Sequence, residues 1–260
     1  MRDVIDLNCD MGEGFGHWTY GDAPDEDLMP LISSANVAAG FHAGDPNSID
    51  RVARLAAVYG VGLGAHPGYD DLRGFGRRFI DASAEELVND VLYQIGAVRE
   101  FGRRYGIPLQ HVKPHGALYM EAARNEELSV KLVEALATLS NDLILFCMGT
   151  SKTFEIARAA GVTTVREFFA DRDYDDDGSI VFKRKVQRSD PEQIAAKCLR
   201  ACQEGTVVTD TGNVIEIAFE SICFHSDTPG ALENGRAIKA KLEANGVRIA
   251  PAAEVLARTR

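Results

Sequence analysis

Val4-Ile5-Asp6-Leu7-Asn8-Cys9-Asp10 is the stretch on which the fold turns. Read as a strand, it sends Ile5, Leu7 and Cys9 to one face and Asp6, Asn8 and Asp10 to the other, because side chains alternate at period two. A parallel strand covered on both sides reads almost continuously apolar. Three acidic or amide groups on one face therefore call for an interior lined with polar side chains. Six further short runs resemble strands, over residues 35–41, 61–65, 110–115, 143–148, 163–169 and 221–225, with helical patterns between them. This alternation makes the chain α/β with a parallel sheet. Seven strands suggest an irregular or incomplete barrel, to which residues 247–250 add a short eighth; an open doubly wound sheet is the other arrangement the pattern allows.

Helix starts are written into the same chain. Ser83 and Glu86 form a capping box ahead of Leu87, Val88, Val91, Leu92, Ile95 and Val98. Asp45-Pro46, Asp190-Pro191 and Thr228-Pro229 each place proline at a first helical position behind a capping side chain. Residues 171–188, with the turn Asp175-Asp176-Asp177-Gly178, and residues 206–219 read as hairpins inserted into one domain spanning 1–260. Cys198 and Cys202 are spaced to fill a helix's apolar side.

The 260 residues carry 39 acidic and 28 basic side chains, a formal charge of −11, with 45% hydrophobic residues. That balance excludes a disordered chain and argues against nucleic acid or an anionic membrane as partner. The longest apolar run, 143–148, is far too short to span a bilayer, and the first residues lack the apolar core of a secretory signal. Five cysteines without a Cys-x-x-Cys pair suit a reducing cytoplasm.

Candidate chemistry gathers at strand ends. Lys113 and His115 share a face with His111; His42 is in phase with Asn36, Ala38 and Gly40; His66 with Gly62 and Gly64; His225 and Asp227 with Cys223. The C-terminal ends of parallel strands are where α/β barrels and sheets build active sites. Asp10, His42, His66, Lys113, His115, His225 and Asp227 should therefore line one cleft, its glycines leaving space for a ligand. Imidazoles and carboxylates so placed transfer protons or hold a divalent metal, with Asp10, His42 and His66 as the metal-ligand candidates. Lys113, flanked by Val112 and Pro114, suits a developing anion or a substrate carboxylate. Cys9 points away from the polar face, and no Gly-x-Ser-x-Gly elbow is present, which disfavours a serine or cysteine nucleophile. His111, at the start of its strand, and His17, in a loop, read as structural.

Gly12-Glu13-Gly14-Phe15-Gly16 follows the first strand, but His17 stands where a dinucleotide loop needs glycine. Gly149-Thr150-Ser151-Lys152-Thr153 lacks the Gly-Lys pair of a phosphate loop. Gly74-Phe75-Gly76-Arg77-Arg78 offers backbone donors and two guanidiniums to an anion. Arg77 and Arg78, with Asn8 and Glu13, are the substrate-binding candidates.

Whole blocks of this sequence are similar to a known family. Asp6-Leu7-Asn8-Cys9-Asp10-Met11-Gly12-Glu13-Gly14-Phe15-Gly16, Ser34-Ala35-Asn36-Val37-Ala38-Ala39-Gly40-Phe41-His42, Gly64-Ala65-His66-Pro67, Gly74-Phe75-Gly76-Arg77-Arg78, Val112-Lys113-Pro114-His115-Gly116-Ala117-Leu118-Tyr119, Phe169-Ala170-Asp171-Arg172 and His225-Ser226-Asp227-Thr228-Pro229-Gly230 resemble the LamB/YcsF family. Ala39, Gly68 and Ser226 stand where that family usually has Cys, Ser and Gly. The resemblance implies a distorted seven-stranded β/α barrel like that of the glycoside hydrolase/deacetylase superfamily. It implies ATP-dependent opening of 5-oxoproline to glutamate as the A subunit of a 5-oxoprolinase, working with B and C subunits and with ATP bound outside this chain. On that basis Asp10, His42 and His66 would handle water, Lys113 and His115 negative charge, and His225 with Asp227 a second proton transfer. The alternatives are a stand-alone metal-dependent deacetylase and a non-catalytic subunit that binds 5-oxoproline.

Overall fold

The structure, a computed structural model, describes residues 2–259. Seven parallel strands close on themselves: β1 (Val4–Met11), β2 (Ser34–Ala38), β3 (Gly62–His66), β4 (Leu109–Val112), β5 (Ile144–Cys147), β6 (Thr164–Phe169) and, after a small hairpin of β7 (Thr206–Val208) with β8 (Val214–Glu216), β9 (Ser221–Phe224). Closure is made by β9, which pairs with β6 through Glu167–Ser221 and with β1 through Asp6–Ser221. The expected barrel is thus present and the open sheet is excluded. β10 (Arg248–Ile249) lies parallel to β1 at Val4 and Ile5, below the ring.

The alternation in β1 has its reason in this closure. Ile5, Leu7, Cys9 and Met11 are fully buried in the layer between barrel and helices. The same layer holds Ile49, Val52 and Ala56 of the helix Pro46–Tyr59 and Val91, Ile95 and Val98 of the helix Ala84–Arg104. Each buried Leu, Ile or Val contributes roughly 1.5–3 kcal/mol, which lets this outer layer offset a polar interior. Asp45 accepts from the backbone of Asn47 and Ser48 at 2.8 and 3.0 Å, and Ser83 with Glu86 closes the capping box. The third proline-led start differs from expectation. The last long helix begins at Ala231 behind Gly230, and the Thr228 hydroxyl instead donates to Asp171 at 2.7 Å. Cys198 and Cys202 are buried in the core under the helix Pro191–Glu204.

Inside the ring, polar side chains stack in layers. At the bottom, Asp6 accepts hydrogen bonds from Ser33 and Ser34 at 2.7 Å each and from Ser221. Above it Asn8 donates to Ser221 at 2.7 Å and to Glu167 at 3.2 Å. His111 bonds Asn36 Oδ1 at 2.8 Å and stacks on Phe146, a structural role. The glycines of β3 serve this packing rather than a ligand. A Cβ on Gly64 would collide with the His111 ring, and one on Gly62 would collide with the Gln110 amide. Among the described residues, no helix is long and apolar enough to cross a membrane.

Candidate active site

Asp10, at the end of β1, is the hub. Its Oδ1 accepts from Lys113 Nζ at 2.9 Å and from Asn36 at 2.8 Å, while Oδ2 lies 3.3 Å from His66 Nε2 and 3.8 Å from His225 Nε2. Burial opposes ionisation, yet His66, Lys113 and His225 hold the Asp10 carboxyl well below the usual range. Lys113 follows β4 and is buried; it bonds Asp10 and Cys223 Sγ at 2.9 Å each, with Asn8 and Glu167 at 3.3 and 3.4 Å. Despite burial, these neighbours keep it a cation. An ammonium has three protons, so Lys113 has none to spare for a substrate carboxylate.

Beside this pair, four buried groups converge: Glu13, His42, His66 and His115, whose nearest ligand-type atoms all lie within 4.8 Å of one another. Their hydrogen-bond partners settle where the imidazole protons sit. His66 Nδ1 is 2.6 Å from the Lys113 carbonyl, and His115 Nε2 is 2.8 Å from the Phe75 carbonyl. A carbonyl only accepts, so both nitrogens are donors. Burial, reinforced by His42 and His66, pushes the His115 pKa well down, leaving that ring neutral with a lone pair on Nδ1. This lone pair faces His66 Nε2 at 3.0 Å. Two neutral rings in these tautomers would repel, so a proton or a cation belongs between them. Glu13 Oε1 lies 3.3 Å from His42 Nε2 and 3.5 Å from His115 Nδ1, and burial together with Asp10 and Asp227 raises its pKa well above normal. His42 stacks on His115 at 3.7 Å, and its Nδ1 is buried without a partner. Three imidazoles and a carboxylate, two of the rings fixed by backbone carbonyls, form a donor set suited to zinc or a similar divalent ion. The sequence picked His42 and His66 for this but named Asp10 as the third ligand; Asp10 instead sits outside the four, paired with Lys113.

His225, just after β9, donates through Nδ1 to Asp171 Oδ1 at 2.8 Å and turns Nε2 toward Asp10. Its carboxylate partner is therefore Asp171, which sequence reading passed over. Asp227 is committed elsewhere, in a two-point bond with Arg77 at 2.7 and 3.0 Å. Arg77 lines the cavity, but Arg78 does not: it pairs with Asp71 and is half exposed. Asn8 lies one layer below. Arg172, Tyr119 and Phe169 also line the site without having been singled out for it. The cavity over these groups holds about 440 Å³, its open mouth included, and Ile180, Phe182 and Lys183 overhang it from the segment that the Tyr174–Ile180 bridge folds back. Of the two atypical positions beside the cluster, Ser226 donates to Glu13 Oε2 at 3.2 Å, and the Cβ position of Gly68 lies 2.5 Å from His42 Nδ1.

Comparison with known proteins covers almost the entire chain. It is 60% identical over 245 residues to a 5-oxoprolinase A subunit of Pseudomonas aeruginosa, spanning 94% of this chain and 97% of that one. It is 45% identical to the 5-oxoprolinase A subunit of Symbiobacterium thermophilum, over 96% of both chains. The crystal structure of the lactam utilization protein from Thermus thermophilus superposes with a TM-score of 0.88 at 41% identity, covering 96% of this chain and 99% of that one. The family model for LamB/YcsF matches residues 5–257, and the chain belongs to the LamB/YcsF family.

Proposed function

We propose that this chain is the A subunit of an ATP-dependent 5-oxoprolinase and carries the hydrolytic half of the reaction. Water is added across the lactam C–N bond of 5-oxoproline to give glutamate. The observation that carries the reading is the 60% identity over 97% of a relative bearing that name. ATP is consumed in the complex but outside this chain, by B and C subunits that make the poorly electrophilic amide reactive.

The chain's residues divide the work. Glu13, His42, His66 and His115 would hold a divalent metal, which when bound polarises a carbonyl oxygen and acidifies a water. His225 Nε2, backed by Asp171, moves a proton to the departing ring nitrogen; a carboxylate behind an imidazole fixes its tautomer and steadies its charged form. Asp10, held ionised by Lys113, orients the attacking water, whose proton passes to His225 Nε2, 3.8 Å from the Asp10 carboxylate, and from there to the departing nitrogen, while Lys113 balances the charge. Phe169 and Tyr119 shield the site from bulk water.

The test is glutamate release from 5-oxoproline by the purified chain and by the reconstituted three-subunit enzyme, each with and without ATP. Turnover only in the ATP-supplied complex supports the reading. The buried Glu/His cluster favours a second one, a stand-alone metal-dependent amide hydrolase. Robust ATP-free turnover by the lone chain, abolished by chelators, would replace the first reading with the second.

A further inference from the structure

Arg172 lies in the cavity wall with a side chain only 6% exposed. Its Nη1 is fully used: it donates to the Asp171 carbonyl at 3.0 Å and to Thr228 Oγ1 at 3.1 Å, and lies 3.0 Å from the Asp171 carboxylate. A guanidinium carries five N–H donors. The three on Nε and Nη2 meet no acceptor among the described residues. Asp171 itself is divided between His225, Thr228 and this arginine, so its single charge is already shared.

The other cations around the cavity are spent. Lys113 is saturated by Asp10, Cys223 and Asn8; Arg77 grips Asp227 with both terminal nitrogens; Lys183 is exposed and bonds Asp173. Among the described residues lining the cavity, Arg172 is the cation with a two-nitrogen edge unspent. That edge matches a carboxylate, which accepts two parallel N–H bonds in one plane. Phe169, Ile180 and Phe182 offer apolar surface for a small ring beside it, and His225 stands on the same wall.

We propose that Arg172 anchors the carboxylate of the substrate, so that the site takes lactams carrying an anionic group next to the ring nitrogen and rejects neutral ones. This rests on the hydrolytic reading above and assigns the carboxylate to a different residue from Lys113. A site built to satisfy a charged fork leaves that fork unpaired when a neutral lactam enters, which is a strong ground for rejection.

The experiment compares 5-oxoproline with 2-pyrrolidinone, the same ring without the carboxylate, in the reconstituted enzyme carrying the wild-type, Arg172→Gln or Arg172→Lys chain. In Arg172→Gln, KM for 5-oxoproline should rise roughly 30- to 100-fold, the size of a charged hydrogen-bonded contact, with kcat changing much less. Arg172→Lys should recover part of that loss, and kcat/KM for 2-pyrrolidinone, low in wild type, should hold or rise in Arg172→Gln, where no charged fork is left unpaired. An unchanged KM, or a loss for 5-oxoproline that falls on kcat with KM unmoved, overturns the proposal; the latter makes Arg172 a positioning residue for Asp171. Failure of the wild-type complex to open 5-oxoproline would sink the functional reading instead. Calorimetric titration of the chain with the two lactams then decides the anchor: binding of 5-oxoproline alone, lost in Arg172→Gln, keeps it, and binding of neither removes it.

Discussion

The two ends of the barrel's interior are both buried and both polar, yet they are built to opposite rules. At the bottom, Asp6 has hydroxyl donors from Ser33, Ser34 and Ser221, and the set closes on itself. At the mouth, His42 Nδ1 has no partner, two imidazole nitrogens face each other at 3.0 Å, and Arg172 shows an unspent edge. Buried polar groups that satisfy one another are scaffold; those left short are waiting for something from outside the chain. Burial and polarity alone would have classed the two ends together.

The sharpest way to break this contrast is at the junction between them. Lys113→Met leaves Asp10 and Glu167 without their cation, and breaking a buried pair from one side costs about 3–5 kcal/mol. Urea unfolding should show that loss. Turnover in the complex should fall by about a hundred- to thousandfold, the scale for losing a charge-stabilising group. A variant as stable and active as wild type would mean that Lys113 belongs to neither end.

Metal affinity separates the ends next. Equilibrium dialysis against zinc should find one site per chain, weakened about 10- to 100-fold or more by Glu13→Gln, while Asp6→Asn binds as wild type does. Saturating metal at about 100 times its dissociation constant should add roughly 2.7 kcal/mol to stability, lost with a chelator. Equal zinc binding by wild type and Glu13→Gln would take that residue out of the cluster's ligand set.

A smaller effect comes from the bottom layer. Burial raises the Asp6 pKa to about 6, from an ordinary value near 3.8, against the pull of its three serine bonds. For an acid, a raised folded-state pKa favours the protonated form. The stabilisation is complete below the unfolded pKa and is lost as pH climbs from about 4 through about 6. Relative to Asp6→Asn, wild type should lose on the order of 2–3 kcal/mol across that window. Parallel stability curves for the two proteins would show that this carboxyl does not titrate on folding.

The least effect belongs to Arg78, a half-exposed side chain that reaches over the covered carboxylate of Asp71, which also accepts from the Gly74 backbone at 2.9 Å. Arg78→Ala should leave stability little changed, because solvent screens an exposed guanidinium, and keep turnover within about 2-fold. A large loss of 5-oxoproline affinity would restore the substrate-binding role that its sequence neighbourhood suggested.

What could be read before folding was whatever depends on local periodicity. The inward face Asp6, Asn8, Asp10 follows from period-two alternation, and the placement of His66, Lys113 and His225 at strand ends follows from counting strands. Cys9 falls on the outer, apolar face for the same reason, and Ser83 with Glu86 marks its helix because a capping box is complete within four residues. Where expectation and structure part, a distant contact outweighs a local signal. Thr228 looked like a helix cap, but its hydroxyl is taken by Asp171, 57 positions away. Gly62 and Gly64 looked like space for a ligand, but the neighbouring strand fills that space with Gln110 and His111.

The sequence by itself determined the α/β alternation, the polar inner face and the set of residues from which the mouth is drawn, because each is a property of neighbours along the chain. Only the tertiary structure decided which carboxylate serves which cation. Asp171 rather than Asp227 stands behind His225, Asp227 locks Arg77, and Glu13 rather than Asp10 completes the histidine cluster. A carboxylate two residues from a histidine and one 54 positions away look unequal in sequence. Barrel closure sets β6 beside β9, and ion pairing depends on distance through space, not along the chain.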